Sequence, residues 1–132
     1  MDKTYQDLVA QLRDKTARGK AMWNQEGRAT EFVLHLDCAT VLVDRWPDHE
    51  QGEMIQLSVF APEGRRIDDL IVARGDDDTG AFEILAGLHE AVRRHACRVD
   101  ETLAAILQEL RNRDEVGREK NDASDIEDSI PF

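Results

Sequence analysis

The sequence predicts an α+β fold: an N-terminal helix, an antiparallel meander of three to four strands, a long C-terminal helix or helix pair, and a disordered acidic tail. Three observations predict it. Apolar residues recur every three or four positions at the start of the chain and again from Phe82 to Leu110, which is the period of a helix with one buried face. Between these segments the apolar period is two, as in strands. Residues 114–132 have no apolar period.

Length and charge restrict the organisation and the function. The chain has 132 residues and a mass of 15.0 kDa, which suits one small domain. We place this domain at residues 1–113 and a flexible tail at 114–132. The net charge at neutral pH is −11, and a surface of that sign repels phosphate groups. We therefore expect no direct non-specific binding to nucleic acid.

The first helix is expected over residues 3–18. Its apolar positions are spaced three and four apart, and Gly19 ends the pattern. These positions are Tyr5, Leu8, Val9 and Leu12. Residues 20–27 are expected to form a connector, and Trp23 is large enough to hold it against the core.

The strands are expected to begin near residues 31, 41, 54 and 67, where the alternating apolar pattern begins each time. Turns are expected over 47–52 and 62–64, where proline and glycine interrupt the alternation. Connections this short cannot cross over to a parallel neighbour, so the sheet is predicted to be antiparallel.

The C-terminal helical pattern continues to about Arg113. It predicts either one rod of roughly 50 Å, at 1.5 Å per residue, or two helices bent near Val99 and Asp100. The pattern does not choose between them. The acidic run 76–78 before Thr79 suits the positive end of a helix dipole.

The core is predicted where one face of the sheet meets the apolar faces of the helices. Its expected members are Phe32, Leu34, Leu36, Val43, Ile55, Leu57 and Val59 from strands and Leu8, Leu12, Leu85, Val92 and Leu103 from helices. The long apolar stripe exceeds what four short strands can cover. Its far end, over 99–110, is therefore expected to pack on the first helix or on a second copy in a homodimer.

The residues that most often carry chemistry form no recognisable catalytic or metal-binding pattern. Cys38 and Cys97 form no CxxC pair and are expected to be reduced thiols. His89 and His95 fall on different faces of a helix, and the acids over 68–78 lack the spacing of a calcium loop. We expect no metal site, no cofactor and no enzymatic activity.

Membrane insertion is also not expected. No apolar run reaches the roughly 18 residues of a membrane span, and residues 1–7 are polar where a signal peptide is hydrophobic. The sequence therefore predicts a cytoplasmic protein.

The last residues have a distinctive order, in which acids lead to an Ile-Pro-Phe tripeptide: Asp125, Ile126, Glu127, Asp128, Ser129, Ile130, Pro131 and Phe132. This segment resembles the acidic C-terminal tip of bacterial single-stranded-DNA-binding proteins, which ends in several Asp residues followed by Ile-Pro-Phe. Ser129 stands where that tip usually has its last Asp. The body does not resemble those proteins. Its residues 12–23 are similar to small uncharacterised bacterial α+β proteins, which implies a fold and no activity.

The resemblance implies that the tip binds a protein partner with an apolar pocket and a basic rim. Such pockets belong to DNA repair or replication enzymes such as exonuclease I, RecQ-family helicases, the primosomal helicase or the recombination mediator. The expected role is a non-enzymatic adaptor that recruits or inhibits one of them, and a phage or mobile-element origin is in keeping with a borrowed tip. The alternative is an acidic inhibitor or immunity-type protein that acts through its folded body, with an incidental tail. A small enzyme of unrecognised type is the third reading.

Overall fold

A computed structural model describes residues 1–76 and 80–119. The elements in chain order are α1 (Lys3–Ala17), β1 (Asn24–Gln25), β2 (Phe32–His35), β3 (Thr40–Asp48), β4 (Gly52–Phe60), β5 (Arg66–Ala73), a 3-10 turn (Arg74–Asp76), α2 (Ala81–Ala96) and α3 (Val99–Asn112). The strands form one antiparallel sheet in the order β1-β2-β3-β4-β5. The predicted α+β fold is confirmed.

The chain divides into two compact units, Met1–Asp100 and Glu101–Phe132. The first unit contains α1, the whole sheet and α2, and the second contains most of α3. The predicted boundary between a domain and a tail after residue 113 stays a prediction, as does the homodimer.

The core lies on one face of the sheet, under α1 and α2. On that face Val43 lies opposite Phe32 on β2 and opposite Leu57 on β4, so that buried side chains form rows across the strands. The buried cluster consists of Val9, Leu12, Ala21, Trp23, Phe32, Leu34, Val41, Val43, Ile55, Leu57, Phe82, Leu85, Ala86, Leu88 and Val92. Removing this set from water is the main driving force for folding.

The predicted burial of two core residues, Leu36 and Leu103, was wrong. Leu36 is 44% exposed, because it follows the end of β2 at His35 and lines an open groove beside α1 instead of the packed core. Leu103 is 48% exposed, and α3 has no buried residue. Leu8 and Val59 are half-buried, and the other predicted members belong to the buried cluster.

The sheet has five strands where three to four were predicted. The additional strand, β1, lies in the predicted connector and has only two residues, which is too short for an alternating pattern. Trp23 holds this connector to the core as predicted. Its ring is buried, and the indole N–H donates to the Thr16 hydroxyl at 2.9 Å.

The predicted turn over 47–52 is shorter than expected, because Pro47 and Asp48 belong to β3 and Gly52 begins β4. The β2–β3 pairing stops at Val43, so the missing N–H of Pro47 costs no hydrogen bond to β2. The Asp48 carboxylate accepts the N–H groups of Glu50 and Gln51 at 3.1 and 2.9 Å and closes the turn.

The C-terminal helical pattern forms two helices. Helix α2 ends at Ala96, where the Cys97 N–H bonds the Arg93 carbonyl at 2.9 Å. Arg98 then takes a positive φ of 54°, which a continuous helix does not permit. The acids at 77 and 78 and Thr79, predicted to precede this helix, lie outside the described residues.

Candidate functional site

The predicted partner-binding residues, here called the tip segment, are Asp125, Ile126, Glu127, Asp128, Ser129, Ile130, Pro131 and Phe132, and all of them lie outside the described residues. The described chain leads toward them. Helix α3 ends at Asn112, and residues 113–119 form neither helix nor strand and are exposed. The approach to the tip segment is therefore solvated backbone rather than part of the sheet.

The sheet face opposite the core carries a polar cluster across β4 and β5. The Ser58 hydroxyl donates to the Asp69 carboxylate at 2.6 Å, and Gln56 donates to the Ser58 oxygen at 2.6 Å. Arg66 donates to the other Asp69 oxygen at 2.7 Å. The Ser58 and Arg66 contacts hold the pKa of Asp69 below its usual range.

This cluster is poorly suited to nucleophilic catalysis. Ser58 is 0% exposed, so a substrate cannot reach its oxygen in this conformation. Asp69, the acceptor of its proton, is a weak base because its carboxylate is stabilised in the ionised form. The arrangement instead ties β5 to β4 through side chains.

A buried carboxylate, Asp44, anchors the loop before β2. It is 2% exposed and accepts hydrogen bonds from the Thr30 hydroxyl and the Arg45 backbone N–H, both at 2.8 Å, and from the Arg28 guanidinium. Arg28 also lies over the Trp46 ring, 5.2 Å from its centroid. The charge is fully hydrogen-bonded, which a buried carboxylate requires.

Two arginines converge on a ring at the start of α2. Arg45 and Arg74 lie over Phe82, at 5.5 and 5.1 Å from its centroid. Both also bond Glu53, Arg45 through two contacts at 2.8 and 2.9 Å and Arg74 at 3.3 Å. The Arg45 contact lowers the pKa of Glu53, so this carboxylate stays ionised and pairs with both cations.

Among the histidines considered as metal ligands, His89 has the environment that most clearly changes its pKa. It is 4% exposed, and its Nε2–H donates to the Thr30 carbonyl at 2.8 Å. Its ring lies 5.5 Å from the Phe32 ring. Burial lowers the pKa of His89 below its ordinary value of 6.5, so the neutral ring links α2 to the loop before β2.

This burial predicts a pH dependence of stability. The unfolded chain protonates His89 at a higher pH than the folded chain does, so the free energy of unfolding should fall as pH drops below 6.5. The carboxylates with lowered pKa values add their loss only below about 4.5. Urea unfolding between pH 7 and 5 measures the effect. His89→Gln should flatten the slope, whereas the exposed control His49→Gln should keep it. Equal slopes in all three proteins would contradict this assignment.

The acids and thiols considered as ligands are dispersed or already bonded. Tyr5 donates to Asp68 at 2.6 Å, and burial together with this bond raises the pKa of Tyr5 to about 12. Cys38 and Cys97 are free and exposed. Within residues 1–76 and 80–119, no three His, Cys, Asp or Glu side chains are placed to hold a metal ion.

The first unit also has two apolar grooves beside cationic side chains. A groove of about 470 Å³ lies between α1 and α2, with Val9, Ala17 and Ile84 in its walls and Arg13 at its edge. Gly87 permits this placement of Arg13, because a Cβ there would lie 2.7 Å from the guanidinium.

The second groove, here called the α1–β2 groove, has a volume of about 360 Å³. It is lined by Leu12, Lys15, Lys20, Ala21, Met22, Leu34, His35 and Leu36. Sequence reasoning missed it because three separate segments meet there. No local signal marks the groove, because Lys15 belongs to α1 whereas Lys20 and Met22 belong to the connector.

Comparisons with known proteins found no family model, no curated protein and no solved structure that matches the chain. Among the described residues, none of the helices has the length and apolar composition needed to cross a membrane.

Proposed function

We propose that this chain is a non-enzymatic adaptor whose tip segment docks on a genome-maintenance enzyme, in the pocket that receives the tip of the single-stranded-DNA-binding protein. Docking would recruit or inhibit that enzyme, and the proposal includes a cytoplasmic location for the protein. The observation that carries the proposal is the order of residues: Asp125, Glu127 and Asp128 come before Ile130-Pro131-Phe132.

Each part of the tip segment suits such a pocket. The Phe132 ring fills an apolar cavity, and the acids before it pair with Arg or Lys at the rim. Pro131 fixes one backbone angle and so lowers the entropy lost on docking. The acids attract a basic surface and increase the association rate.

The described residues support a binding role for the tail rather than for the folded body. The polar side chains of the body with the clearest ionisation shifts are bonded within the fold, as for Glu53 and Asp69. Residues 113–119 are exposed and irregular. They suit a tether, because an extended chain spans up to about 3.3 Å per residue.

The alternative is an acidic inhibitor or immunity-type protein in which the folded body binds the target. Its support is the charge that remains without the tail, since residues 1–113 are themselves net acidic. Such a surface suits a basic target, and its binding would not require Phe132.

A truncation separates these two functions. The full chain and a chain ending at Glu119 are titrated by calorimetry against a tip-binding enzyme such as exonuclease I. The proposal expects binding by the full chain only. Equal binding by both chains would assign the interaction to the folded body, and absence of binding across a panel of tip-binding enzymes would reject the adaptor function.

A further inference from the structure

The α1–β2 groove lies where the first two strands separate. The β1–β2 pairing consists of Asn24 with Val33 and Gln25 with Phe32. Beyond these pairs the two segments no longer pair with each other. Ala21 and Met22 line the groove on one side, and residues 34–36 line it on the other. The separation leaves a strand edge beside an apolar cavity.

That edge offers backbone hydrogen bonds. The Glu26 N–H bonds Glu31 on the β1 side, and the Leu36 N–H bonds Ala39 on the β3 side. Alternation along an antiparallel strand therefore directs the N–H and C=O of His35 toward the β1 side. Within the described part of the chain, no strand pairs with His35 on that side.

The floor and walls of the groove are apolar. Leu12 and Leu34 are buried beneath it, while Met22 is 74% exposed and Leu36 is 44% exposed. A Met side chain this exposed beside a cavity is free to close over a ligand, because it is flexible and polarisable.

The rim is cationic although the protein is strongly acidic. Lys15 and Lys20 both line the groove, and among the described residues neither ammonium group has a salt bridge. His35 also lines it, and its Nε2 lies 2.9 Å from Glu26. Two unpaired ammonium groups beside an apolar floor complement a segment that combines acidic residues with a large apolar side chain.

We propose that the α1–β2 groove binds an extended acidic peptide segment of a partner protein. The segment lies along the free edge at His35, as an added strand. One large apolar side chain enters the cavity beside Met22, and flanking carboxylates pair with Lys15 and Lys20. This site is separate from the tip segment, so the two proposals stand or fall independently.

The probe is a nonapeptide with a central Ile-Val-Phe, three acidic residues on each side, and blocked ends. It is titrated into the isotopically labelled full chain and followed by NMR and by fluorescence anisotropy. Chemical-shift changes are expected to concentrate on residues 20–23 and 34–36. Blocked ends remove the terminal charges of the peptide, so that its side chains and backbone alone are tested.

Three exposed substitutions test the site without disturbing the core. Lys20→Glu and Met22→Ser should each weaken the probe about tenfold, through the lost ion pair and the lost apolar contact respectively. Lys3→Glu makes the same change in charge about 18 Å from Lys15, the groove lysine on the same helix, by the rise of 1.5 Å per residue. That separation exceeds the screening length of about 10 Å at 0.1 M salt, so Lys3→Glu should change affinity less than about twofold.

Three results would overturn the proposal. Shift changes outside the groove would place the probe elsewhere. Equal weakening by Lys3→Glu and Lys20→Glu would indicate attraction by overall charge alone. Concentration-dependent shifts of the groove residues in the free chain, removed by Met22→Ser, would show that a second copy occupies the groove.

Discussion

Replacing Phe132 with Ala is expected to weaken binding of the full chain to a tip-binding enzyme by roughly 30- to 1,000-fold. The proposed docking buries the ring at the centre of the contact. Truncation of such an aromatic anchor typically costs about 2 to 4 kcal/mol, and each 1.4 kcal/mol is about tenfold in Kd. Calorimetric titration of the two chains against the same enzyme measures the ratio.

The acids of the tip segment supply the matched comparison. Changing Asp125, Glu127 or Asp128 to Asn should weaken binding only modestly and reduce its dependence on salt, because exposed rim charges act mainly on the association rate. A loss as large for any one of these variants as for Phe132→Ala would contradict the assignment of Phe132 as the anchor.

The second large effect is on stability. Phe82→Ala should lower the free energy of unfolding by about 3 to 5 kcal/mol. The ring is 1% exposed, and the guanidinium groups of Arg45 and Arg74 lie over it. This is a large part of the roughly 5 to 15 kcal/mol that stabilises a typical domain. Urea unfolding monitored by circular dichroism measures the change.

A neighbouring residue on the same helix provides the control. Ile84 is 39% exposed, so Ile84→Ala removes less buried surface and should cost at most about 1 kcal/mol. A Phe82→Ala loss no greater than that of Ile84→Ala would show that the start of α2 does not pack on the sheet as described.

The parts of the fold that could be predicted are those with a repeated pattern. The helix from Lys3 and the strand from Thr40 each bury one face, and burial of a face imposes a period of 3.6 or two on the sequence. Leu57 and Val92 were placed in the core for this reason.

The parts that could not be predicted depend on single residues or on tertiary contacts. The two-residue strand β1 has no period of its own and exists through its pairing with β2. The choice between one helix and a pair bent near Val99 and Asp100 stayed open, because the apolar spacing continues through the break and only the conformation of Arg98 interrupts the helix. The α1–β2 groove is formed by separate segments, so no local pattern marks Lys15 or Met22.

The residues of the candidate sites also separate into those that could be predicted from the sequence and those that could not. The tip segment is a local sequence feature, so its residues could be named without a structure. The buried state of His89 depends on the packing of α2 against the sheet. The pairing of Glu53 with Arg45 and Arg74 depends on the register of β3, β4 and β5. These contacts required the fold.

Competition for one pocket tests the proposed function most directly. The full chain, labelled on Cys38 or Cys97, is held at half-saturation with exonuclease I, and a peptide with the acidic tip of the host single-stranded-DNA-binding protein is added. The adaptor function predicts complete displacement of the chain, with an apparent Kd for the chain that rises linearly with peptide concentration. A chain that stays bound while the enzyme is saturated with peptide would show that binding occurs elsewhere, and would contradict docking through the tip segment.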